Sequence, residues 1–271
     1  MKKFVKISPE VKRLVRWIIF IIALGIISWV ILFLKETQVL PQGAISLLDE
    51  LPQFVAEDRV IIFSPHPDDE SLCCAASIQR AINNGAEVFI VLITNGNKKG
   101  LKNTRYQEFI DATNLLKIDD KRLFFLNYQD GELKEVSEEK LKTSFRAVID
   151  EVKPTIVFIP SDFDNHLDHK ISGQNLKEFL SDYKDITVYQ YLIHHGYFPR
   201  PIGYHPNLYL LPPISSLKFE NQWLKLSSEP EEIALKKQII YHYKSQLKKP
   251  PLKELLPAFI RLNEIFLKKK D

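Results

Sequence analysis

The sequence predicts an α/β fold: a Rossmann-like three-layer sandwich on a mostly parallel sheet, preceded by one N-terminal transmembrane helix. Three observations carry this. Short runs rich in β-branched and aromatic residues alternate with helical patterns. Those runs are apolar throughout rather than at every second residue, the pattern of strands covered on both faces. Residues 17–34, "WIIFIIALGIISWVILFL", hold eighteen consecutive uncharged residues, about 27 Å of helix at 1.5 Å per residue.

The first segment, 1–16, is a basic tail with Lys2, Lys3, Lys6, Lys12, Arg13 and Arg16 against Glu10. It carries +5 of a chain whose net charge is +3, which leaves −2 on everything that follows. Nucleic acid is therefore not an expected partner, because phosphate binding needs cations clustered on the folded domain. The cations precede the apolar stretch and only Lys35 follows closely, so the positive-inside bias puts the N-terminus in the cytoplasm and the remainder across the membrane. A signal peptide would have a shorter apolar region and a small-x-small cleavage site, which "KETQVLPQGA" does not offer. Residues 17–34 are thus expected to be an uncleaved anchor in the lipid bilayer.

Residues 35–56, with Pro41, Gly43 and Pro52 around a short apolar piece, read as a stalk and lead-in helix. At 271 residues, with 45% hydrophobic and 26% charged, the chain has room for one large domain with appendages. That domain is expected over 57–249. Strands are predicted at 59–64, 87–94, 122–127, 155–160 and 186–193. Between the first four lie three helices. In the first, Cys74, Ala75, Ile78, Ala81 and Ile82 share one face and Asn83-Asn84-Gly85 ends it. The second, 104–117, aligns Tyr106, Phe109, Ile110, Thr113 and Leu116, and the third, 137–152, closes before Pro154. The Pro-rich stretch 199–213 reads as a long ordered loop. Residues 250–271 read as an amphipathic C-terminal helix with a basic end, packed on the domain, with lipid contact as the weaker alternative. Cys73 and Cys74 project about 100° apart on a helix, so two separate buried thiols are expected rather than a disulfide. No internal repeat is evident, and oligomeric state is left open.

In parallel sheets ligands gather at the carboxyl ends of strands. The first predicted strand delivers His66, Asp68, Asp69 and Glu70, the second Thr94-Asn95-Gly96, and the fourth "PSDFDNHLDH", with Asp162, Asp164, His166, Asp168 and His169. Imidazoles and carboxylates from two loops can supply a His/Asp/His set suited to Zn²⁺ with one position open. Each half also has a plain structural reading. "PDDE" makes a good helix start, with acids at the positive end of the dipole and proline at the first position; "HLDH" can open a helix with Asp168 as its cap. Two such clusters, each directly after an apolar strand at the same sheet edge, favour a site.

"PHPDDE" followed by a helix, with "HLDH" at 166–169, resembles the PIG-L/LmbE family of zinc-dependent de-N-acetylases. "VLITNGNKKG", Arg105-Tyr106-Gln107-Glu108, "LNYQDGEL" and "YKSQ" at 243–246 extend the resemblance over about 57–250. It implies a hydrolase that removes the acetyl group from an N-acetylglucosamine-type sugar, as a glycan, glycolipid or small glycoside, by attack of a zinc-bound water on the linear amide bond. By position it implies that His66, Asp69 and His169 bind the zinc and that Asp68 stays off it as general base. His166 would donate to the oxyanion, with Asp168 tuning the charge or orientation of His166. Arg105 would face a sugar or phosphate, with an ordinary i+3 ion pair to Glu108 as the equal alternative. Asp130 would close the pocket, with a turn role at Asp-Gly as the alternative. Glu70 is expected to satisfy the helix start or support the ligands, and His194, His195, Tyr197 and His205 fall in a loop whose role stays open.

Two rival classes remain. A membrane-anchored glycosyltransferase would use Asp162 and Asp164 as an Asp-x-Asp metal motif, which leaves His66 and His169 without work. A non-catalytic glycan-binding module would use the metal structurally, with a closed ligand set and no base beside it.

Overall fold

The structure is a computed structural model and describes residues 8–196 and 198–269. Lys2, Lys3 and Lys6 of the basic tail, Tyr197 and the last two residues lie outside the described set. The chain opens with helix α1 (Pro9–Thr37). Its stretch Pro9–Phe33 has a mean hydropathy of 2.5 and buries nothing, so in length and composition it is able to cross a bilayer.

There follow β1 (Asp49–Glu50), β2 (Arg59–Ser64), α2 (Asp69–Asn83), β3 (Glu87–Thr94), α3 (Lys102–Leu115), β4 (Leu123–Tyr128), α4 (Glu138–Val152), β5 (Ile156–Pro160), α5 (Leu167–Leu180) and β6 (Thr187–Tyr191). The chain is completed by β7 (Asn221–Ser227), α6 (Pro230–Ile240), α7 (Lys244–Leu247), α8 (Pro250–Leu255) and β8 (Asn263–Lys269). The strands form one sheet in the order β1-β7-β8-β6-β5-β2-β3-β4. Pairings are parallel except where β8 runs antiparallel to β6 and β7. The mixed, mostly parallel α/β sheet is the predicted class.

The continuous apolar runs explain the layers. Successive strand residues point to opposite faces, so Val60, Ile62, Val88, Ile90, Leu92 and Phe158 join one core with Leu72, Phe109 and Ile239 of α2, α3 and α6. Ile61, Phe63, Val91, Ile93, Val157 and Ile159 join the other with Leu141, Phe145, Leu176 and Phe179 of α4 and α5. Local signals place the helix ends. Ser137 caps α4 by accepting from Lys140, and Lys153 closes it in the left-handed conformation just before Pro154. Glu229 and Glu232 form a capping box at α6, with Pro230 at its first position.

Three expectations need correction. The C-terminal helix expected at 250–271 is only the short α8, a 3-10 turn at Leu256–Phe259 and then strand β8. Pro257 interrupts the helix, and "NEIFLKK" instead pairs along its whole length with β7, in the middle of the sheet. Its Glu264 is buried because it accepts from the amides of Ala76 and Ser77 (2.9 and 3.0 Å) and pairs with buried Lys236 (2.7 Å). Residues 35–56 are not a free stalk. Val39 bridges Pro213, Leu40 donates to Pro212 and Ile214 to Gln38, and Leu48, Leu51 and Phe54 enter the core. The periodic apolar side chains of this segment find burial against the domain, and β1 adds to the edge beside β7. Cys73 and Cys74 are disulfide-bonded rather than separate thiols.

The loop 199–213 is ordered as expected. Buried Arg261 donates to the carbonyls of Pro201 and His205, and Asn263 exchanges hydrogen bonds with the Leu210 backbone.

One close approach positions the site. A Cβ on Gly173 would lie 2.3 Å from the carbonyl oxygen of Pro160, so only glycine lets α5 cross this near the end of β5. In an open helix Gly→Ala gains up to about 1 kcal/mol. Here the sign reverses: Gly173→Ala is expected to lose about 1–3 kcal/mol by overpacking, measured by urea denaturation.

Candidate active site

The loop from β2 into α2 separates three consecutive acids. Asp68 has φ 126°, a conformation rare outside glycine and held only by surrounding structure. Ser64 Oγ supplies part of that hold by donating within the loop, close to His66 O (2.7 Å) and Glu70 Oε2 (3.0 Å), while Asp68 N donates to Glu70 Oε2 (3.3 Å). From this turn the carboxylates diverge. Asp69 points at His66 and His169, Asp68 points at Arg105, and Glu70 turns into the core to accept from Ser71 and Tyr243. From β3, Thr94 Oγ1 donates to Pro65 O (2.7 Å), and Gly96, at φ 63°, sits where a Cβ would come within 2.9 Å of Pro67.

His66 Nδ1, Asp69 Oδ2 and His169 Nε2 form a triangle with edges of 3.3, 3.0 and 3.2 Å. A tetrahedral ion bound at about 2.0–2.1 Å sets its donors roughly 3.3–3.4 Å apart, so two imidazoles and a carboxylate in this triangle fit a divalent metal. The far nitrogen of each imidazole faces its own carboxylate. His66 Nε2 lies 3.0 Å from Asp168 Oδ2 and His169 Nδ1 lies 3.1 Å from Asp164 Oδ2. Such partners leave the near nitrogen as the one offered to a metal. Backbone donors fix the carboxylates in turn. Asp168 accepts from Gly131 (2.7 Å) and Leu133 (3.3 Å); Asp164 accepts from His166 (2.8 Å), Ile193 (3.2 Å) and His194 (3.0 Å).

Electrostatics follow from this packing. Burial alone would depress His66, but its hydrogen bonds to Asp168 and Asp69 lift it to about 9. Burial opposes ionisation of Asp69, yet His169 and His66 hold it well below the carboxylate range. Burial raises Asp68 to about 7 against the pull of Arg105. Burial, then the charges of His66 and His169, push His166 down to about 3.

Asp168 serves His66, not His166 as expected, because two residues along a helix the side chains point apart. His166 stands with its ring 4.6 Å from that of His66, and its buried Nδ1 has no hydrogen-bond partner among the described residues. Arg105 does not pair with Glu108. It is buried, donating to Asp130 (2.7 Å), Pro67 O (3.0 Å) and Gly96 O (3.4 Å), with Asp68 at 3.5 Å, so it ties three sheet-edge loops together. Glu108 instead accepts from the backbone and hydroxyl of Ser245 in the "YKSQ" segment. Asp130 therefore pairs with Arg105 and lines the cleft, beyond a turn role. The Asp-x-Asp pair divides, with Asp162 bound to Lys177 (2.8 Å) and Asp164 to His169. His194 lines the cleft, His195 bridges Phe163 O (2.7 Å) and Ser215 Oγ (2.8 Å), and half-buried His205 contacts Ile202 O.

Of the triangle, His66 lines a cleft of about 270 Å³. Asp68, Arg105 and His166 form its inner wall, Leu72, Leu252 and Leu256 an apolar side, and Lys98 and Lys249 add cations. Sequence reasoning missed the two lysines, the leucines of the α8 region, and Asp164 as the partner of His169.

Residues 61–180 match the PIG-L family, described as GlcNAc-PI de-N-acetylase. That match takes in 120 of the 271 residues. A probable N-acetyl-alpha-D-glucosaminyl L-malate deacetylase 2 of Bacillus anthracis is 30% identical over 139 residues, covering 46% of this chain and 60% of that protein. A probable N-acetylglucosaminyl-phosphatidylinositol de-N-acetylase of Dictyostelium discoideum is 36% identical over 76 residues, 27% of this chain and 30% of that one. The chain thus spans less than two thirds of the length of these relatives. Among solved structures, an N,N'-diacetylchitobiose deacetylase of Pyrococcus horikoshii superposes with TM-score 0.55 at 20% identity over 77% of this chain and 82% of that one. A teicoplanin deacetylase in its zinc-inhibited form gives 0.60 at 15% identity over 79% and 99%. These two show that the chain shares the fold of those deacetylases.

Asp164→Asn is expected to weaken Zn²⁺ or Co²⁺ binding by about 10–100-fold, the usual effect of losing a ligand's orienting partner. Competition with a chromophoric chelator measures it, with circular dichroism checking that the fold persists.

Proposed function

We propose that this chain is a membrane-anchored, zinc-dependent hydrolase that removes the acetyl group from an N-acetylglucosamine-type sugar. One observation carries the reading: Asp68 is buried in the same turn as Asp69 but faces Arg105 (3.5 Å), on the wall of a cleft that His66 and His166 also line. A purely structural metal site has no use for such a carboxylate. The division of Asp162 from Asp164 likewise weakens the glycosyltransferase reading.

His66, Asp69 and His169 would hold the ion. When bound, zinc supplies Lewis acidity and a water that ionises near neutral pH. Asp68 takes the proton of the attacking water on its carboxylate and returns it to the departing amine. Arg105 holds Asp68 in place and keeps its charge compatible with the neighbouring acids. His166 donates to the oxygen that gains charge as the amide carbonyl is attacked. Asp168 and Asp164 orient the two imidazoles, and Asp130 fixes Arg105. In domain terms, 17–34 is the anchor, 1–16 the cytoplasmic tail, and the catalytic domain lies outside the cytoplasm.

The cleft also favours an acidic group on the substrate beside the sugar, because Lys98 and Lys249 both line it. The two relatives, by their names, act on sugars joined to L-malate or phosphatidylinositol, both acidic.

Two outcomes test the proposal on the full-length protein. Asp68→Ala retains zinc but loses about 10²–10⁴-fold in acetate release from a panel of N-acetylglucosaminyl substrates, the span expected for a general base; His169→Ala loses both zinc and activity. A fully active Asp68→Ala enzyme would refute the mechanism. Separately, Lys98→Glu with Lys249→Glu raises KM for acidic glycosides by an order of magnitude or more while leaving a neutral chitobiose substrate little changed; equal effects on both would sink the acidic-substrate reading.

A further inference from the structure

The end of α1 and the domain are joined with almost no slack. Gln38 is the first residue after the helix, and its carbonyl already accepts from Ile214 (2.9 Å), while Leu40 donates to Pro212 (3.1 Å). Gln38 is four positions beyond Leu34, the last of the uncharged stretch, so these contacts fall within about 14 Å of the hydrocarbon boundary when α1 spans the bilayer. The headgroup zone is itself roughly 5–8 Å deep on each side.

This place on the domain carries an apolar patch. Leu47 is 80% exposed, Leu217 42% and Phe219 98%. Leu40, Leu47, Leu217 and Lys218 line one shallow groove. Phe219 stands at the tip of a turn closed by Asn221 N donating to Lys218 O (3.2 Å). Turn tips usually carry Gly, Pro, Asn, Asp or Ser. A single exposed apolar residue is ordinary, but three beside the exit of an apolar helix, one of them almost wholly exposed, form a surface that water does not suit.

We propose that Leu47, Leu217 and Phe219 dock into the interface of the same bilayer that holds α1. The occupant follows from continuity: the patch adjoins the point where the chain leaves the anchor. The domain is then held to the membrane at two places, by the helix and by the 217–220 turn, and its orientation to the lipid surface is set. This rests on the reading of α1 as a membrane span.

The test uses the full-length chain in nanodiscs of phosphatidylcholine and phosphatidylglycerol, spin-labelled singly at Ile26→Cys, Phe219→Cys or Glu139→Cys. Cys73 and Cys74 are disulfide-bonded and buried, and the unmutated chain gives their labelling background. Collision with dissolved oxygen is compared with collision with a water-soluble nickel chelate. The labels at 26 and 219 are expected to favour oxygen several-fold over the chelate, and the label at 139, exposed on α4, to favour the chelate. If 219 behaves like 139 while 26 is in lipid, the docking proposal is wrong and the span stands. If 219 is shielded from both reagents, protein covers the patch and the proposal is equally wrong. A label at 26 that favours the chelate overturns the span, and the docking with it.

Discussion

Three adjacent carboxylates buried in one turn repel each other, and the structure is arranged around keeping them apart. Coulomb repulsion between such neighbours is severe when water is excluded. Asp69 is neutralised by two imidazoles, Asp68 by a guanidinium, and Glu70 is satisfied by hydroxyls of Ser64, Ser71 and Tyr243. The unusual backbone of Asp68 is what directs the three side chains along different lines. Each partner comes from a different part of the chain: α5 brings His169, α3 brings Arg105, and the α6–α7 junction brings Tyr243. The helices on both faces of the sheet thus converge on one turn, and a change in any of them is felt by an acid of the site.

Much of the central fold was legible. β2, β3, β5 and β6 coincide closely with the apolar runs, because strands buried on both faces have no polar register to obscure them. β7 and β8 were not. "NQWLKLS" and "NEIFLKK" carry polar residues within the strand, and Glu264 looks solvent-exposed until Lys236 and two helix amides are seen to bury it. The segment 250–271 satisfied an amphipathic helical pattern while its second half formed a central strand, a case of sheet pairing overriding periodicity.

That His66, Asp69 and His169 come together was readable because each His-plus-acid cluster directly follows an apolar strand. Their supports were not. A sequence cannot show which ring nitrogen faces which carboxylate, so Asp168 was assigned to the wrong histidine and Asp164, though placed at the same sheet edge, was given no histidine partner. Arg105 had an acid at the correct helical spacing and still chose Asp130, because the inward face of α3 meets the loop after β4 whereas Glu108 meets Ser245. Lys98 and Lys249 belong to no pattern; only the folded cleft brings them near the site.

The position of β8 bears on the order in which the protein is assembled. It is the last strand among the described residues, yet it joins β1 and β7 to the five strands beginning with β6. Until residues 263–269 emerge and insert, the sheet exists as two pieces with unpaired edges, β6 exposed on one and β7 on the other. The β2-to-β6 unit can gather early through nearer neighbours, while final closure waits on the most distant contacts. Those two edges are what the folding chain must keep from pairing wrongly until this strand closes them.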